Sequence, residues 1–213
     1  MTEDPRRAAF EAARAEKGGL TDKDVDMIDA ALDAIGWPRE ATPVSTDLTA
    51  RICIELIAHE GIVPMAYKDS RGIWTWGVGL AVTGGWPVMQ YKDNPASLEV
   101  CLQAYIDALR KNYLPAVLRA FPGPLAEHQL AALLSFHYNT GAITRLAPNN
   151  MDFMQWRRPA SIIERRKKER DLYLHGTWTG DGKALVYGRV NAEYQPRDPQ
   201  RTEVAPIIEG LLA

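Results

Sequence analysis

The sequence predicts an α+β fold: mainly helical, with a small β-hairpin sheet lobe and an N-terminal helical hairpin. Three observations carry this. Apolar residues recur at helical spacing through most of the 213 positions. Residues 65–78 instead turn aromatic and β-branched around Ser70-Arg71-Gly72, the pattern of a short hairpin. A proline-containing stretch, with Pro38 and Pro43, separates an acidic beginning from a mildly basic remainder.

The first element spans residues 4–36. Pro5 can open a helix whose Ala8, Ala9, Ala12 and Ala13 give a narrow face, and Gly18-Gly19 breaks it. Thr21 is a good N-cap for a second helix, with Asp22 and Asp24 in its first turn, and Val25, Ile28, Leu32 and Ile35 follow at helical spacing. Gly36 and Pro38 stop it. The run Asp22, Asp24, Asp26 lacks the Gly and Glu of a calcium loop, because Met27 and Asp33 stand at those places. Residues 1–43 are therefore expected to be an appendage with its linker, and residues 44–213 the main domain with a C-terminal tail.

That domain opens with an apolar helix at 47–59, which Pro64 prevents from continuing. After the hairpin, residues 94–121 form a long amphipathic stretch broken near Pro115. Residues 126–138 read as a buried helix, 161–175 as a helix with a strongly charged side, and Pro148-Asn149-Asn150 as a loop. A turn at Asp181-Gly182 leads into a proline-containing tail ending in apolar Ile207-Ile208 and Leu211-Leu212.

Composition narrows the function. A net charge of −2 supplies no basic field for nucleic acid. Residues 1–46 hold six basic and ten acidic side chains, the rest nineteen and seventeen, so appendage and body differ in sign. No apolar run near the start suggests a signal peptide and none approaches a membrane span, so cytoplasmic synthesis is expected. Cys53 and Cys101 each sit in an apolar helical pattern and read as reduced core residues, and no metal or cofactor is expected.

Three polar residues stand out around the hairpin. Glu60 closes an apolar helix, where partial burial would favour the protonated form. Asp69 and Thr75 lie on the two arms of the following hairpin. A protonated acid and a more solvated carboxylate from adjacent elements are what hydrolysis of a glycosidic bond requires. Taken alone, two carboxylates are more often an ordinary helix end and a turn former.

The surrounding motifs add a resemblance. Glu60-Gly61, Ala66-Tyr67-Lys68-Asp69, Gly72 and Thr75-Trp76-Gly77-Val78-Gly79 resemble the phage-type lysozymes, the T4-like glycoside hydrolases of family 24. The steps from Glu to Asp and from Asp to Thr match the family's catalytic spacing. Downstream, Ser135-Phe136-His137-Tyr138-Asn139-Thr140-Gly141 and Arg165-Arg166-Lys167-Lys168-Glu169 follow in the same order as the family's later motifs. The resemblance implies a lysozyme fold and hydrolysis of the β-1,4 bond between N-acetylmuramic acid and N-acetylglucosamine. It implies Glu60 as general acid, Asp69 and Thr75 as holders of the attacking water, Arg165 as the partner of Glu60, and Asn139 as an amide near the same carboxylate. Tyr67, within the Asp69 motif, is expected to touch substrate or support these groups. Arg165 also reads as one more solvated cation in a basic helix.

Peptidoglycan is the implied partner of a monomeric phage or prophage endolysin, which would reach the wall through a holin-like pore. Three features depart from the pattern. Leu80 replaces a histidine, residues 142–155 are short, and the first 36 residues lie outside the resemblance. A lytic transglycosylase, needing the acid but no held water, and a wall-binding module without activity are the rival readings.

Overall fold

The computed structural model describes residues 5–35, 45–146 and 151–213. The expected linker and the Pro148-Asn149-Asn150 loop fall almost wholly outside these. The chain divides into two compact units, Met1–Pro43 and Val44–Ala213.

The first unit holds helices α1 (Pro5–Lys17) and α2 (Asp22–Ala34). Thr21 and Asp24 form a reciprocal cap: Asp24 N donates to Thr21 Oγ1 at 3.3 Å, and Thr21 N donates to Asp24 Oδ2 at 2.9 Å. Lys17 also binds Asp24, tying the two helices together and holding that carboxyl well below the usual range.

The second unit opens with α3 (Ala50–Ile57), capped by Thr49, whose side chain accepts from Ile52 N. The helix is shorter than its apolar pattern, because His59 N and Glu60 N donate to Leu56 and Ile57 carbonyls in tightened turns. Glu60 therefore sits in the junction to β1 (Gly61–Lys68), which pairs antiparallel with β2 (Trp74–Gly77), followed by β3 (Leu80–Ala81). Val63 faces Gly77 but Tyr67 faces Thr75, so β1 carries two extra residues in a bulge around Pro64. The Pro64 carbonyl is free to accept from the Trp76 indole at 3.1 Å and from Ala96 N at 2.9 Å.

The long amphipathic stretch becomes α4 (Leu98–Ala108), a π-helical turn at Leu109–Tyr113, and α5 (Leu114–Ala120). The irregular turn falls where Pro115 removes a backbone donor. Helix α6 (Glu127–Thr140) is buried along most of its length and packs on α7 (Ile163–His175).

The C-terminal tail differs from its expected form. It builds β4 (Lys183–Val190), β5 (Pro196–Glu203) and α8 (Ala205–Leu212), making a five-stranded sheet in the order β3-β2-β1-β4-β5. Strand β4 runs parallel to β1, with Gly61 opposite Leu185 and Ile62 opposite Val186. Pro196 and Pro199 conceal β5 in the sequence, yet it is an edge strand, where a missing donor is tolerated. Glu55, buried in α3, clamps the start of this tail: its carboxylate accepts from Thr179 N and Oγ1 at 2.7 Å each and from Gly180 N at 2.6 Å. Ala184, Val204 and Ile208 join the core formed by α3, α4 and α6. Cys53 and Cys101 are buried and free in the same core.

Candidate active site

Glu60 is placed by the clash between a helix that must end and a strand that must begin. Its side chain is 21% exposed, and Arg165 Nη1 donates to its Oε1 at 2.6 Å. Arg165 is itself buried and held at every nitrogen: Nε donates to Glu169 Oε1 at 3.0 Å, and Nη2 to the Ser135 carbonyl at 3.1 Å. Burial opposes its charge, but Glu60 and Glu169 outweigh burial and raise its pKa above the ordinary value. The guanidinium thus works as a fixed bracket between α6, α7 and the carboxylate of Glu60.

Behind it lies a buried cluster. Arg166 has no exposed surface; its Nη1 sits 2.9 Å from Glu169 Oε2, and its Nη2 donates to Asn139 Oδ1 at 2.9 Å. Ser135 Oγ donates to Glu169 Oε1 at 2.7 Å. Burial nevertheless raises the Glu169 pKa, against the pull of both arginines. Arg165 and Arg166 thus face the carboxyl groups of Glu60 and Glu169. Asn139 reaches Glu60 only through this network, since its hydrogen bond goes to Arg166. Sequence reasoning singled out neither Arg166 nor Glu169 nor Ser135, although all three stand inside the motifs it quoted.

The hairpin positions the other two groups. Asp69 Oδ1 accepts from Arg71 N and Ile73 N, both at 2.8 Å, so the turn itself orients the carboxylate. Gly72 closes this turn at φ +77°, a conformation that disfavours any side chain. Thr75, 3% exposed, donates its hydroxyl to the Ile73 carbonyl at 3.1 Å, which leaves its lone pairs to accept. Tyr67 stands directly opposite Thr75, so the two share one face of the hairpin. Burial raises the Tyr67 phenol's pKa, with further contributions from Glu60, Asp69 and Tyr187. Burial raises the pKa of the Tyr105, Tyr113 and Tyr138 phenols, with a lesser contribution from the charge of Glu60. Leu80, at the place where a histidine was expected, is buried in β3 and supplies packing only. Among the described residues, no group of His, Cys, Asp and Glu could hold a metal ion.

A helical lobe joined to a small sheet through an acid-bearing helix–strand junction is the arrangement of a lysozyme-type glycoside hydrolase. The chain belongs to the phage lysozyme family, whose profile matches residues 57–169. That match includes Glu60, Asp69, Thr75, Asn139 and Arg165, and ends before β4, β5 and α8. Among solved structures, the endolysin from Escherichia coli O157:H7 phage FAHEc1 is 22% identical, with a TM-score of 0.50, covering 62% of this chain and 96% of that one. A P22 lysozyme mutant is 24% identical, with a TM-score of 0.49, over 60% of this chain and 98% of that one. These likenesses concern the fold. No curated protein matches the chain. The protein is a phage peptidoglycan hydrolase, and among the described residues no helix is long and apolar enough to cross a membrane.

Proposed function

We propose that this chain is an N-acetylmuramidase of the T4-like type, cleaving the β-1,4 bond between N-acetylmuramic acid and N-acetylglucosamine. The observation that carries the reading is the pair Glu60 and Asp69. Glu60 immediately precedes β1 and Asp69 immediately follows it, next to the directly opposed pair Tyr67 and Thr75. Glu60 delivers the proton to the leaving oxygen. Asp69 and the accepting lone pairs of Thr75 hold the water that attacks from the opposite face. Arg165 fixes the acid's orientation. This is a single displacement, so the first product is the α-configured reducing end.

In this reading the chain is the endolysin of a phage or prophage, made in the host cytoplasm, monomeric, and released to the wall through a holin-like pore. The unit at residues 1–43 serves docking or targeting.

The test is a zymogram with wild type and Glu60→Gln. Gln keeps the shape but has no proton to deliver, a loss of about 10²–10⁴-fold or more. Clearing by the variant at near wild-type rate rejects Glu60 as the acid. Proton NMR of early wild-type products reads the anomer, and mass spectrometry excludes or reveals the anhydro ends of a transglycosylase.

A further inference from the structure

Outside the family match, the β4–β5 hairpin folds its turn back onto the catalytic hairpin. The Tyr194 carbonyl accepts from Lys68 N at 2.8 Å, and Tyr194 itself adopts φ +60°, the left-handed region rare for a residue with a side chain. This geometry brings its ring edge-on to Trp74, with centroids 4.7 Å apart. Two ammonium groups hang over the same two rings. Lys68 Nζ lies 5.4 Å from the Trp74 ring and 5.8 Å from Tyr194, and Lys92 Nζ lies 5.9 Å and 5.1 Å from them.

Among the described residues neither lysine has a carboxylate within ion-pair distance. Asp69, the next residue after Lys68, turns its carboxylate to backbone amides and to Arg71 instead. Two cations therefore converge on one aromatic platform without a counter-ion. The ring faces offset only part of their mutual repulsion. An anion placed between them would remove the rest.

The position of the patch indicates which anion. Lys68 pairs with Trp74 in the register, one step from Asp69 on one arm and from Thr75 on the other. Strand alternation turns this pair to the face opposite Tyr67 and Thr75. The patch therefore lies one residue from both Asp69 and Thr75, on the other face of the same hairpin. In peptidoglycan, the acidic peptide stems branch from muramic acid, the sugar whose bond is cut.

We infer that Lys68, Lys92, Trp74 and Tyr194 form an accessory subsite for the carboxylates of peptidoglycan stem peptides. The inference rests on the muramidase reading and adds to it a preference for stems with free carboxylates.

The test measures reducing-end release by wild type and by a Lys68→Gln/Lys92→Gln double variant. The substrates are walls with native stems and walls whose stem carboxylates have been amidated, both freed of phosphate polymers. Wild type should show KM raised roughly three- to tenfold by amidation, the scale of two exposed ion pairs, with kcat retained. The double variant should have the same raised KM on both walls. A Lys68→Arg/Lys92→Arg variant should respond to amidation as wild type does. The subsite is overturned if amidation leaves the wild-type KM unchanged, or if the Gln variant still responds to it. It is equally overturned if the lysines matter only on walls that retain phosphate polymer. Failure of wild type to release reducing ends from either wall would instead reject the muramidase reading itself.

Discussion

Arg165 and Glu60 meet at 2.6 Å although 105 positions separate them in the chain. The contact is one arm of a guanidinium whose other nitrogens are spent on Glu169 and Ser135, so Glu60 is held by a group that cannot itself swing. Arg165→Lys keeps the charge but loses this fork, and a lysine cannot serve three acceptors in one plane. The expected outcome is a fall in kcat of roughly 100-fold, the cost of a misplaced catalytic group, with the fold retained. Turnover on purified walls, compared with the melting temperature, checks this. An unchanged kcat would mean that Glu60 is oriented by something else.

The cluster behind Arg165 should matter to stability. Glu169→Gln leaves Arg166, with no exposed surface, beside a neutral amide. Breaking such a buried pair by removing one partner costs about 3–5 kcal/mol. Urea unfolding of the variant should show a loss of that order, and a loss under about 1 kcal/mol would show that the charges are not mutually dependent.

His59, the neighbour of Glu60, gives the protein a pH response. Burial first, then Arg165, Lys168 and Arg166, lower its pKa to about 4. The unfolded chain, with an ordinary value near 6.5, takes up the proton earlier. Stability from this group is therefore complete above about pH 6.5 and declines as pH falls toward 4, by at most roughly 3 kcal/mol. His59→Gln should flatten the curve of unfolding free energy against pH in that window. Part of the slope persists, because burial also lowers His128 and His137. A slope identical to wild type would remove His59 from the account.

The two ends of the chain should respond differently to deletion. Removing residues 178–213 strips Ala184, Val204 and Ile208 from the core and uncovers the carboxylate of Glu55. The apolar loss alone amounts to roughly 5 kcal/mol, comparable to a typical domain's whole stability, so this truncation should be insoluble or unfolded. Removing residues 1–43 leaves the core of the second unit complete. That truncation should stay folded and clear isolated walls. Circular dichroism and turbidity clearing of the two proteins distinguish the cases, and a folded, active C-terminal truncation would contradict the tail's role.

What the sequence by itself determined lies within short stretches of chain. Pro64 forbids the first apolar helix of the main domain to run on, although α3 already ends at Ile57 and leaves Glu60 in the junction to β1; Gly72 supplies the left-handed corner; and the spacing of Glu60, Asp69 and Thr75 is legible through its resemblance to the phage-type lysozymes. The buried face of α6 was equally plain, being apolar. Helix α7 was not readable in that way. Its inward face is Arg165, Arg166, Glu169 and Leu172, and hydrophobic periodicity cannot separate buried charges from Lys167, Lys168 and Arg170, which stay exposed. Only the counter-charges of Glu60 and Glu169, the oxygens of Ser135 and the amide of Asn139 decide which cations go inside. Each of those partners is fixed by tertiary packing. The same holds for β4. Its pairing with β1 joins residues more than 120 positions apart, the prolines of β5 argue locally against a strand, and the free edge of β1 that accepts it exists only once the β1–β2 hairpin has folded.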